Sequence, residues 1–179
     1  MISKNMASAL NNQVNREFYS AFFYLSMSAH SDSLGLKGFA NWFLMKYQEE
    51  TLHAMKIYKY ILDQGEHIEL LAIDKPPTTF ETPLAMFEDT LAHEKAVTQH
   101  INELVDMAMS EKDHATHIFL QWFVTEQIEE EATVAEIIGK IKLVGSRGDG
   151  LFMIDNQIGE KAARLGQQAA SSAQATASA

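Results

Sequence analysis

The chain's three prolines, Pro76, Pro77 and Pro83, all fall within one eight-residue window, and that placement constrains the fold more than any other feature. Proline fixes φ, lacks an amide proton and clashes with the preceding helical turn, so helices seldom run through it. Most glycines are grouped as well, at Gly35 and Gly38, at Gly65, and from Gly145 to Gly150. The intervals between these breakers are long and uninterrupted. They predict helices over about 5–34, 38–65, 83–111 and 115–144, with a shorter fifth over about 150–165.

Apolar spacing agrees. Leu10, Val14, Ala21 and Tyr24 in the first stretch form a seam, as do Phe39, Phe43, Ile57 and Tyr60 in the second. Leu84, Phe87, Leu91, Ile101 and Val105 do so in the third, and Leu120, Phe123, Val134, Ile137 and Ile141 in the fourth. Steps of three and four residues put such side chains on one side of a helix, which must then pack against partners. The chain is therefore expected to be all-α, a four-helix bundle with an added fifth helix. The second helix would be roughly 42 Å long at 1.5 Å per residue. The proline-bearing segment 66–82 can span that length at about 3.3 Å per extended residue. One long crossover then sets helices two and three parallel.

Composition excludes several function classes. There are 24 acidic against 14 basic residues, a net charge of −10, which argues against a nucleic-acid partner. No cysteine is present, so a disulfide scaffold, a catalytic thiol and a thiolate metal site are ruled out, and a reducing cytoplasm is compatible. Neither a secretory segment at Met1-Ile2-Ser3-Lys4 nor a membrane span of about 18 apolar residues is seen, so no membrane partner is expected. The segment from Gln167 to Ala179 holds only Gln, Ala, Ser and Thr. It has no apolar face and reads as a disordered tail or a frayed extension of the fifth helix. The domain is accordingly placed at 1–165 and the tail at 166–179.

The polar residues that interrupt the seams are the informative ones. Glu17 lies in the first seam, Glu50 and His53 in the second, Glu94 in the third, and Gln127 and Glu130 in the fourth. An offset of 77 carries Glu17 onto Glu94, Glu50 onto Gln127, His53 onto Glu130 and Glu49 onto Glu126. This weak repeat of a helical hairpin sets the side chains at one depth. They could be solvated charges or buried ion-pair members. Lys46, however, is the only basic residue in the seams, and it cannot balance four carboxylates. Either a cation is held there or several carboxyl pKa values rise. Two divalent ions would match four glutamates. An oxygen-rich set with a single imidazole disfavours zinc and suits iron or manganese.

At these residues the chain resembles a bacterial non-haem ferritin, a member of the ferritin-like di-iron superfamily. The likeness runs from about residue 5 to 165. It is carried by Asn15-Arg16-Glu17-Phe18-Tyr19, Gln48-Glu49-Glu50-Thr51-Leu52-His53, His93-Glu94, and the stretch from Gln121-Trp122-Phe123 through Glu126-Gln127-Ile128-Glu129-Glu130-Glu131. The resemblance implies one iron on Glu17, Glu50 and His53, and a second on Glu50, Glu94 and Glu130, with Gln127 orienting. It also implies a looser third iron at Glu49, Glu126, Glu129 and Glu130, although Glu49 and Glu126 read equally well as solvated charges. Gln127-x-x-Glu130 in place of Glu-x-x-His resembles the haem-free branch, so no haem is expected. Tyr24, seven residues from Glu17 on the same helix face, is either a core tyrosine bonded to a carboxylate or an electron donor.

The implied activity is that of a ferroxidase, oxidising Fe(II) with O2 or hydrogen peroxide and depositing ferric mineral in a cage of 24 copies. The alternative is a di-iron oxidoreductase of the same superfamily that stores nothing. The stripe Leu151, Ile154, Ile158, Ala162 and Leu165 needs a partner, either symmetry mates around a four-fold axis or the chain's own bundle. Asp113, His114 and His117 are read as a helix cap with surface histidines, or else as an iron-entry channel.

Overall fold

A computed structural model describes residues 2–145 and 148–177, with side chains described as far as residue 164. The helices are α1 (Lys4–Ser33), α2 (Lys37–Asp63), α3 (Pro83–Ser110), α4 (His114–Val144) and α5 (Asp149–Ala177), with no strand among the described residues.

Local chemistry sets their ends. The Ser3 side chain accepts from the Met6 amide at the start of α1. Thr82 does the same for Ala85 ahead of α3, whose first turn begins with Pro83, and Asp113 for Thr116 ahead of α4. These bonds satisfy amides that have no partner within the helix. After α1 and α2 the chain turns through Gly35 and Gly65, both at φ +77°, a conformation that suits glycine at a helix C-terminus.

The crossover lies along α1. The Asn11 side chain donates to the His67 carbonyl at 3.0 Å and accepts from the Glu69 amide at 2.8 Å. Farther along α1, Asn15 donates to the Ala72 carbonyl at 3.0 Å and Ser26 to the Pro77 carbonyl. The loop thus returns from the N-terminal to the C-terminal end of α1 before α3 begins. Since α2 runs antiparallel to α1, α3 is parallel to α2, as the loop length required.

The fifth helix is longer than its apolar stripe alone would set. Its backbone continues through the Gln/Ala/Ser/Thr segment to Ala177 instead of ending near 165. Alanine and glutamine favour the helix on propensity alone. Of the two partners open to its apolar stripe, its own bundle is the one in place. Leu151, Ile154, Ile158 and Ala162 are buried in the core of their own chain, while the Leu165 side chain lies outside the described residues. Glycines permit this docking. A Cβ on Gly38 would stand 1.8 Å from the Asp155 carbonyl oxygen, and one on Gly159 would stand 2.8 Å from the Gly38 Cα. α2 has no side-chain cap at Leu36. The buried Asp155 carboxylate of α5 supplies one, accepting from the Gly38 and Phe39 amides at 3.1 and 2.8 Å.

The apolar interior falls into two clusters. One gathers Tyr24, Phe39, Trp42, Phe43, Phe87 and Ile141 with the α5 stripe. The other gathers Met6, Leu10, Val14, Ile57, Ile101 and Phe123. Between them, on all four long helices, lie the polar residues that broke the sequence seams.

Candidate metal centre

α1 brings Glu17 and Tyr24 into this layer, α2 Lys46, Glu50 and His53, α3 Glu94, and α4 Gln127 and Glu130, and every one is buried. Glu17 and Glu94 are each only 1% exposed, which excludes their reading as solvated-face charges. The four seams do meet at one level.

On one side, Glu17, Glu50 and His53 each offer a ligand atom, all within 4.8 Å of one another. Gln13 donates to Glu17 Oε1 at 2.7 Å. Glu17 Oε2 is buried with no protein N–H or hydroxyl donor among the described residues, so a proton shared with Glu50 or a bound ion must meet it. His53 Nδ1 lies 3.5 Å from Glu50 Oε2, and its ring packs edge-on against Trp122 and Phe123.

On the other side the carboxylates are held by protein groups. The Tyr24 hydroxyl donates to Glu94 Oε1, and Gln127 Nε2 donates to Glu94 Oε2 at 3.1 Å. Of the two readings of Tyr24, the carboxylate partner is therefore in place. Lys46 Nζ donates to Glu130 Oε1, and it stands 3.0 Å from Glu49 and 3.7 Å from Glu50. The sequence marked Lys46 as too little charge to balance the cluster. It gave no sign that this ammonium, only 2% exposed, would sit inside it, because lysines on helices ordinarily reach outward to water.

Protons share the balancing with Lys46. Burial, reinforced by the Glu50 charge, raises the Glu17 carboxyl to about 8. Burial and Glu50 likewise raise Glu94 to about 7. Burial also raises Glu130, against the pull of Lys46. Burial acts upward on Glu50 too, but the His53 hydrogen bond and Lys46 outweigh it and bring Glu50 down to about 2. His53, which burial alone would depress, is lifted by Glu50 to about 9. Without metal, the layer at neutral pH thus holds Glu50 as a firm carboxylate, two cationic side chains, and a mostly protonated Glu17. Metal ions can take the places of those protons.

The residues for a third ion are more open. Glu49 and Glu126 are half-buried and Glu129 is exposed. With Glu130, Lys46 and Lys161 they line a cavity of about 310 Å³ beside the layer. Asp113 caps α4, while His114 is exposed and His117 lies 3.3 Å from Gln121. His93, next to Glu94 in sequence, is turned away into Tyr19 and Phe23 and pairs with Ser20 at 2.7 Å. Sequence reasoning missed Gln13 and Asp155. Gln13 could have been found one turn before Glu17, and Asp155 as the one charge inside the α5 stripe.

Comparison with known proteins bears on the same region. The ferritin family, described as a ferritin-like domain, matches residues 7–144. The chain is 38% identical over 161 residues to a bacterial non-heme ferritin of Staphylococcus aureus, covering 90% of this chain and 97% of that protein. It is 39% identical over 158 residues to the bacterial non-heme ferritin of Staphylococcus haemolyticus, covering 88% and 95%. Among solved structures, an open pore ferritin from the hyperthermophilic archaeon Archaeoglobus fulgidus superposes with a TM-score of 0.87 at 47% identity, over 89% of this chain and 98% of that one.

Proposed function

The chain belongs to the ferritin family, and on that premise we propose that it stores iron, oxidising Fe(II) at the buried carboxylate layer and collecting ferric mineral inside a cage of 24 copies. The observation that carries the reading is the layer itself. Four glutamates and a histidine are buried between two apolar clusters, with one lysine to balance them and one carboxylate oxygen left without a partner.

Glu17, Glu50 and His53 take the first Fe(II). Glu50 bridges to the second, which Glu94 and Glu130 complete. Gln127 and Tyr24 fix the two oxygens of Glu94 and so its direction. Binding expels the protons that Glu17 and His53 hold at neutral pH. Carboxylates stabilise Fe(III) over Fe(II), which favours oxidation at this layer. Each iron gives up one electron, and the pair passes two to O2 or hydrogen peroxide. Water bound to Fe(III) loses protons, and the hydrolysed ferric product moves on toward mineral. The half-buried Glu49 and Glu126 and the exposed Glu129 border the pair on the Lys46 side. No haem enters the scheme. The working unit is residues 1–165, and its place is the cytoplasm.

Assembly draws support from apolar surface that a lone chain leaves in water. Phe22 on α1 and Leu70, Leu71 and Ile73 on the crossover line one groove, and Leu52, Ile118 and Ile128 are each about two-thirds exposed. The α5 stripe no longer contributes, since its own bundle covers it.

The test follows O2-dependent Fe(II) oxidation in Glu50→Ala and Glu130→Ala. Both are expected to lose most of the initial rate, and wild-type rates in either would refute the site. Light scattering checks the cage, and a stable monomer or dimer in physiological buffer would count decisively against it.

A further inference from the structure

Lys46 is the one residue of the layer that the proposed function does not use, and it sits where metal ought to go. Its Nζ donates to Glu130 Oε1 and lies 3.0 Å from Glu49 Oε2 and 3.7 Å from Glu50 Oε1. Glu50 and Glu130 are two of the three ligands assigned to the second iron, and Glu49 and Glu130 belong to the third position. Across the layer, the Glu17, Glu50 and His53 trio has no such occupant, and its ligand atoms are already drawn together.

We propose that Lys46 is a tethered counter-cation that competes with metal for the Glu130 side of the layer. The second Fe(II) enters by displacing Nζ from Glu130. The ammonium then moves into the adjacent cavity, toward Glu49, Glu126 and Glu129, where it takes the place of a third iron. This deepens the proposed dinuclear site and rests on that reading.

The physical reasons are charge and reach. An ammonium one hydrogen bond from a carboxylate supplies part of the positive charge a metal would bring, and it repels a divalent ion arriving at the same oxygens. The lysine stem has four rotatable bonds, so Nζ can leave Glu130 without any backbone shift. The cavity beside it holds acceptors that would keep the displaced ammonium bonded. The three positions of one subunit are thereby made unequal. The first is preassembled, the second is gated by the chain's own cation, and the third is occupied by it.

The test is anaerobic calorimetric titration of the assembled protein with Fe(II), which reads binding without oxidation. Wild type is expected to take up two equivalents per subunit, the second weaker by about tenfold or more. In Lys46→Gln the second should tighten by about tenfold and a third equivalent should appear, while Lys46→Arg should bind like wild type. Lys46→Met, which removes the charge but keeps the apolar stem, serves as an independent check. Two equal wild-type sites would overturn the proposal without recourse to any variant, as would an unchanged isotherm in Lys46→Gln and Lys46→Met. In either case the dinuclear site would stand. No Fe(II) binding by any form would overturn the site reading itself.

Discussion

Adding Fe(II) to the metal-free protein should release protons before any oxygen is admitted, and the number follows from the environment of three side chains. At pH 7 a glutamate titrating at about 8, as Glu17 does, carries its proton roughly nine times in ten. His53, lifted to about 9, is almost fully protonated at that pH, whereas Glu50, at about 2, holds none. Metal requires a carboxylate and a neutral imidazole. The first Fe(II) should therefore release about two protons per subunit at pH 7. The second should add about half a proton from Glu94, whose pKa is about 7. At pH 9 Glu17 is largely ionised and His53 is half-deprotonated, so the first release should fall to about half a proton. Apparent affinity for the first ion should rise roughly a hundredfold between pH 6 and pH 7, because two protons compete with it. A weakly buffered anaerobic titration with an indicator dye measures the release directly. Calorimetry in buffers of differing ionisation enthalpy provides a second count. Less than half a proton at pH 7, or equal release at pH 7 and pH 9, would mean that Glu17 and His53 are already stripped, and the electrostatic account of the layer would fail.

Four other outcomes can be checked. Glu17 and Glu94 titrate above their unfolded value, so the stability they contribute is full below about pH 4.5 and is lost as pH rises through about 8 and 7; His53 adds to that loss between about pH 6.5 and 9. The melting temperature of the metal-free protein should therefore fall from pH 6 to pH 9 by calorimetry, and a rise would contradict the assigned shifts. Asp155→Ala should cost about 1–3 kcal/mol in urea denaturation and expose α5 to trypsin, since two buried amides of α2 lose their cap. Gly38→Ala should be worse than Asp155→Ala in the same assays, because a Cβ 1.8 Å from a backbone oxygen forces α5 off its seat. Tyr24→Phe keeps the ring and removes the hydrogen bond to Glu94, so it should lose about 1 kcal/mol of stability and retain oxidation within a few-fold. A collapse of the oxidation rate in Tyr24→Phe would instead assign the phenol to electron transfer.

The bundle and its crossover were legible because breakers and seams are local signals. Three clustered prolines leave little choice about where a long link falls, and a carboxylate on an apolar seam is conspicuous against its period. Glu17, Glu50, His53, Glu94, Gln127 and Glu130 all reached one layer for that reason. What stayed hidden depends on direction in space. The stripe of α5 showed that it needed a partner but not which one, and the close approach at Gly38 and Gly159 joins positions far apart in sequence. Asp155 finishes the first turn of another helix, a role that its own helix's period does not reveal. Lys46 could be placed on the seam of α2, but periodicity says nothing of whether a long flexible side chain reaches inward or out.

Dividing the interior into two apolar clusters with a polar sheet of side chains between them affects how the protein comes apart. Each cluster can hold its own end of the bundle, so the metal-free chain has two regions able to open separately, with the layer as the seam between them. Protons and one ammonium bind that seam weakly, whereas ions ligated from α1, α2, α3 and α4 at once would rivet the helices across it. Hydrogen exchange should accordingly show two protection plateaus without metal, merging into one as metal is added. Iron would then act as a fastener as well as a cargo, and an empty subunit would be mechanically a different object from a loaded one.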